Sequence, residues 1–184
     1  MLSARIRIAA RLLAVVALAA LTAGCFRPMY AEHTDGTPGL REKLMGVELP
    51  PIPKPNASRE ARVGVEVRNA LAFKLYGTAT GMPPTHRLEI RFTSSRSSLI
   101  ISQATGLPTS ENYGIDAPVQ PDRGRERQVG DDRHDVLARV SYDNPGSYQR
   151  FSRNRAVRDA EDRAANEIAE NINTRLASFF TAGS

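Results

Sequence analysis

The chain has 184 residues, 25 Lys+Arg against 20 Asp+Glu, and a formal net charge of +5. At roughly 150 residues per domain this is one domain with tails, and a hydrophobic fraction of 41% excludes both a disordered chain and a multi-span membrane protein. One Cys, three His and no Trp rule out an internal disulfide framework and a Cys-based zinc cluster.

The start of the chain reads as a targeting segment over residues 1–24. Arg5, Arg7 and Arg11 form a basic head, the run from Leu12 to Leu21 is wholly apolar, and Thr22, Ala23 and Gly24 are small. This is the order of a secretory signal peptide, and the apolar run is short of the ~20 residues a membrane span needs. Leu21-Thr22-Ala23-Gly24-Cys25 resembles a bacterial lipobox, with Leu one position earlier than usual. The resemblance implies cleavage before Cys25 and lipidation of its thiol. Acyl chains contribute about 0.8 kcal/mol per buried CH₂, so several of them make a durable membrane anchor. Phe26 follows, where an Asp would signal retention at the inner membrane, so the expected address is the outer membrane. Removing residues 1–24 takes away three arginines and no acid. The mature chain then carries 22 basic and 20 acidic residues, a net +2. No field strong enough to imply nucleic acid remains.

Residues 25–57 hold six of the twelve prolines and read as the lipidated N-terminus, a Pro-rich tether and a first short strand at 44–49. The rest of a single α+β domain occupies 58–184. Residues 58–76 form a helix: Ser58 is a cap, Glu60 sits in the first turn, and Gly77 ends it. Its apolar stripe is Val63, Val67, Ala70, Leu71 and Leu75. Residues 86–102 read as one strand with a bend in its Ser-rich middle. A weaker strand covers 110–119. Pro121-Asp122-Arg123-Gly124 signals a turn, and 127–142 is another strand. Asp143-Asn144-Pro145 looks like a helix start. From there to Phe180, Val157, Ala160, Ala164, Ile168, Ile172 and Leu176 recur at helical spacing, with Glu161 among the polar residues of the other faces. The predicted order is β-α-β-β-β-α: about four strands in a small mixed or antiparallel sheet, two helices on one face, the other face uncovered.

Chemical motifs are sparse. No P-loop, dinucleotide fingerprint, Gly-x-Ser-x-Gly or His-Glu-x-x-His is present. The cluster Asp131-Asp132-Arg133-His134-Asp135 reads as a solvated edge, because a strand would split its ligands between two faces. Arg87, Arg91 and Arg96 have two readings: forks for lipid-headgroup phosphates, or an outward strand face balanced by Glu89.

Several segments together resemble the lipopolysaccharide-assembly lipoproteins of the LptE family, of alphaproteobacterial or rhizobial type. They are Cys25-Phe26-Arg27-Pro28-Met29-Tyr30 at the mature start, Arg68-Asn69-Ala70-Leu71 and His86-Arg87-Leu88-Glu89-Ile90. The fullest match is Ser141-Tyr142-Asp143, then Phe151, then Arg155-Ala156-Val157-Arg158-Asp159-Ala160-Glu161-Asp162-Arg163-Ala164-Ala165. The Gly usual after the Cys is absent, and 120–132 fits least well. The resemblance implies an outer-membrane lipoprotein facing the periplasm. Its partners would be an LptD-type β-barrel, which it plugs and helps assemble, lipopolysaccharide, and the membrane through Cys25. It implies no enzyme, no cofactor, no metal and no nucleic acid. Two other classes stay open. An auxiliary lipoprotein of a lipid or solute transporter should have an apolar cavity. A periplasmic hydrolase using His134 would need a second group brought close by the fold.

Overall fold

The computed structural model describes residues 36–77, 82–122, 134–145 and 149–182, with backbone alone at 119–122 and 134. The chain divides into Met1–Gly39 and Leu40–Ser184. The described elements of the second unit are α1 (Leu40–Met45), β1 (Val47–Glu48), α2 (Arg59–Tyr76), β2 (His86–Ile90), β3 (Thr93–Ile101), β4 (Pro108–Asp122), β5 (His134–Asp143) and α3 (Arg150–Ala182). The α+β class is as the sequence predicts, with five strands in place of about four.

The strand expected to be weak is the centre of the sheet. β4 is 15 residues long. β2 and then β3 pair antiparallel along one of its edges, β5 pairs along the other, and β1 adds in parallel beside β2. Its alternation is hard to see in sequence because two inward or crowded positions are not apolar. Glu111 is buried, and Gly114 lies under the Arg139 side chain, 2.8 Å from where a Cβ would stand. Pro121 and Asp122, predicted as a turn, still pair with Leu88 and Arg87. Residues 123–133 are outside the described set, so the predicted strand 127–142 is seen only as His134–Asp143.

The expected single strand 86–102 is two strands interrupted at Arg91 and Phe92. Phe92 turns inward, buried. Lys54 donates from Nζ to its carbonyl at 2.6 Å and lies 4.3 Å from its ring centre. The predicted strand at 44–49 is also corrected. Leu40 and Leu44, one helical turn apart, are both buried on α1, and only Val47 and Glu48 pair as strand. Gly46 makes the change of direction. Its nitrogen donates to Glu42 O, and its carbonyl accepts from the nitrogens of Thr85 and His86. A Cβ there would meet Thr85 Oγ1 at 2.7 Å.

α2 follows the sequence reading. Ser58 is extended (φ −78, ψ 157) and accepts from Ala61 N at 3.0 Å, and Gly77 (φ 63) donates to Phe73 O. The predicted start of the last helix is wrong. Asp143 is the final residue of β5, opposite Ser110, and Asn144 N donates to Thr109 O at 2.8 Å. The Asn144 side chain is recruited inward by Glu111, so it is not free to cap. α3 begins at Arg150.

α2 and α3 pack on one another, and α3 also covers β4 and β5. Val63, Val67, Leu71 and Leu75 meet the layer of Val157, Ala160, Ala164, Ile168, Ile172 and Leu176 above Leu88, Ile90, Ile115, Ala117, Val136, Ala138 and Val140. Doubled alanines at 164/165 and the pair Ile168/Ala169 let α3 bury a broad face at close approach. The outward positions Glu89, Leu137 and Arg139 are exposed, so the opposite sheet face is uncovered among the described residues. Among the described residues no helix is long and apolar enough to cross a membrane.

Candidate functional site

Cys25, the signal segment 1–24 and His33 lie outside the described residues, as do Asp131, Asp132 and Arg133. His134 opens β5. Among the described residues no group of three His, Cys, Asp or Glu could hold a metal ion. His86 hydrogen-bonds through Nδ1 with Thr85 Oγ1 at 2.9 Å and meets the Phe180 ring edge-on at 4.9 Å.

The predicted trio of arginines does not share one surface. Leu88 and Ile90 point into the core, so Arg87 and Glu89 face the other way; Arg91 is exposed between the strands. Arg96 is opposite Tyr113 in β4 and faces the helices, 5.9 Å from the Tyr113 ring and 3.4 Å from Glu161 Oε1.

Glu161 corrects the sequence reading most directly. It belongs to the buried face of α3, 2% exposed. An unpaired buried carboxylate would be expensive. Here Arg62 Nη2 donates to Oε2, Arg96 Nη2 reaches Oε1, and Arg59 Nε stands 3.5 Å from Oε1. Arg62 also donates through Nη1 to Asp162 at 2.8 Å. Burial alone would lower the Arg62 pKa; hydrogen bonds and charge from Asp162 and Glu161 outweigh it and raise the pKa above the usual value. The missed signal was the width of the α3 face: once 164 and 165 are both buried, 161 falls on the same side.

A second buried carboxylate, Glu111, ties β4 to β5 and α3. Tyr142 Oη donates to Oε2, Asn144 Nδ2 donates to Oε1 at 2.7 Å, and Arg153 Nη2 is 3.6 Å away. Burial, then the hydrogen bond and charge of Glu111, push the Tyr142 phenol up to about 12. Both carboxylates are occupied by donors, so they act as anchors between elements.

These networks explain much of the C-terminal motif. Tyr142 holds Glu111, and Glu161 holds three arginines. Arg163 pairs with Asp159 at 2.8 Å and donates to Ser141 O at 3.3 Å. Asn171 donates to Leu137 O at 2.8 Å. Side chains of α3 thus occupy carbonyls of β5, which protects an otherwise free sheet edge. A shallow, open hollow beside them is lined by Ser141, Tyr142, Asp143, Ala156, Asp159 and Arg163. β3, which among the described residues pairs with β4 alone, leaves Leu99, Ile100 and Ile101 more than half exposed.

No family model and no curated protein sequence matches the chain. Among solved structures, the fold is similar to that of a candidate lipoprotein from Caulobacter crescentus CB15, with a TM-score of 0.56 and 16% identity over 79% of this chain and 97% of that one. Rare lipoprotein B from Shewanella oneidensis aligns at a TM-score of 0.46 and 16% identity, covering 74% of this chain and 96% of that one. At such identity the likeness to the Caulobacter protein establishes a shared α+β fold.

Proposed function

We propose that the protein is an outer-membrane lipoprotein, anchored through Cys25 and facing the periplasm, that acts with an LptD-type β-barrel as plug and assembly partner during insertion of lipopolysaccharide into the outer leaflet. The observation that carries this reading is a lipobox ending in the chain's single Cys ahead of an α+β domain that shares the fold of a Caulobacter candidate lipoprotein. The motif order of the LptE family supports it, as does a sheet face, uncovered among the described residues, that carries Glu89 and Arg139 beside Leu137. The hollow beside β5 is polar and open, which favours a plug over the alternative of an auxiliary transporter lipoprotein with an apolar cavity. On this reading the role is non-catalytic.

The test is purification from detergent-solubilised outer membranes through a C-terminal tag, with mass spectrometry of the partners. The expected result is a stoichiometric large β-barrel that is lost with Cys25→Ala. Recovery alone, or with inner-membrane transporter subunits, overturns the proposal.

A further inference from the structure

Most of the C-terminal motif is consumed by packing, but Phe151, Arg155 and Arg158 are not. Phe151 is 88% exposed, the most exposed of the large apolar side chains. Arg155 and Arg158 are exposed and make no hydrogen bond or ion pair with any described residue. Spacings of four and three residues put all three on one stripe of α3. The first core residue of the helix is Val157. Val157, Ala160 and Ala164 point inward, and the stripe lies on a flank of the helix, exposed here at its N-terminal end, where 151 and 158 continue the line that is buried further on at Ala165 and Ile172. No acidic residue occurs between Asp143 and Asp159. Arg153, another arginine of this stretch, is turned toward Glu111. Arg155 and Arg158 stand at i,i+3, and their i+4 neighbours Asp159 and Asp162 are engaged by Arg163 and Arg62 instead.

We infer that this stripe is a docking surface for an anionic lipid membrane. Guanidinium forks fit phosphate oxygens bidentately, and one aromatic side chain among them suits the headgroup–acyl boundary. The surface is a helix flank, and the hollow beside it is shallow and open. A bilayer needs no shape complementarity from it, whereas a folded partner does. The stripe's own charges are both positive and complementary to lipid phosphates, with exposed Asp159 at its edge held by Arg163. The inference stands without the barrel partner and without the anchor at Cys25.

The chain contains no Trp, so Phe151→Trp places a single tryptophan at the N-terminal end of the stripe. The experiment is emission of the full-length Phe151→Trp, Cys25→Ser protein titrated with vesicles. One set is equimolar phosphatidylglycerol and phosphatidylcholine; the other is phosphatidylcholine alone. The same background with Phe73→Trp, on the exposed side of α2, reports any binding driven by the N-terminal segment. The expected result is a blue shift with the anionic vesicles only, for the position 151 probe only, and none with inorganic phosphate. Arg155→Gln with Arg158→Gln should weaken the apparent affinity roughly 30-fold, about fivefold per arginine. Four results would each overturn the inference: no shift, an equal shift with phosphatidylcholine, an equal shift at position 73, or insensitivity to loss of both arginines. A shift produced only by a purified acidic protein would also overturn it and reassign the surface to a protein partner. Loss of the barrel in the purification above would leave the vesicle result unchanged.

Discussion

Replacing Tyr142 by Phe removes one hydroxyl and nothing else, at a place where the structure gives that hydroxyl a definite role. Tyr142 is 5% exposed and donates to buried Glu111, whose other oxygen is held by Asn144 at 2.7 Å. A hydrogen bond to a charged acceptor contributes about 1.5–3 kcal/mol, and its loss leaves the carboxylate short of a donor. The same bond gives the pH signature. The phenol pKa rises from 10.0 to about 12 on folding, first through burial and then through Glu111. The folded state therefore holds the proton more tightly than the unfolded one. This stabilisation is present in full below pH 10 and is lost as pH rises toward about 12. Two pKa units correspond to roughly 2–3 kcal/mol. For a domain of this size the Tyr142→Phe melting temperature should fall by about 5–10 °C at neutral pH. The assay is thermal unfolding followed by circular dichroism from neutral pH into the alkaline range, for wild type and variant. Tyr76 and Tyr113 are also raised, chiefly by burial, so both proteins should lose stability at high pH. The variant should lose less, and the difference isolates Tyr142. Parallel alkaline slopes in the two proteins, or an unchanged melting temperature at neutral pH, would refute the reasoning.

Glu161→Gln keeps the shape of the buried side chain and removes its charge. The expected cost is about 1–3 kcal/mol in denaturant unfolding, at the lower end because Arg59 and Arg96 are 49% and 38% exposed and can return to water. A neutral effect would mean that the arginines do not depend on it. Ile172→Ala opens a cavity at a side chain with no exposed surface, and should lower stability by about 2–5 kcal/mol with an unchanged denaturant m-value. A loss below about 1 kcal/mol would contradict the packing described.

α2 was readable from local chemistry, because Ser58, Glu60, Gly77 and a four-residue apolar repeat all act within a few residues of one another. The lipobox reading of residues 21–25 is local in the same way. What local sequence could not supply was the partner of each polar group. Asn144 is an equally good helix cap or sheet-side donor, and buried Glu111, contributed by another strand, decided for the second. Glu161 has the composition of a solvated face; three arginines from α2 and β3 make its burial possible. The segment Leu40–Leu49 shows no strong period, yet Leu40, Leu44, Val47 and Leu49 are core residues because α2, α3 and β2 come to meet them. β4 was underrated because centrality in a sheet is a property of its neighbours, and Glu111 and Gly114 break its alternation.

The sequence by itself therefore determined the class, the two long helices and their apolar stripes, the caps of α2, and the order of motifs along the chain. These follow from backbone preferences and periodicities that act over one or two turns. Tertiary structure alone decided which strand is central, where β5 hands over to α3, and which carboxylates are buried. It also decided which motif residues are left over for a partner. Burial and charge compensation depend on groups brought together from as many as 100 positions apart, as Arg62 and Asp162 are, and no local pattern encodes that distance.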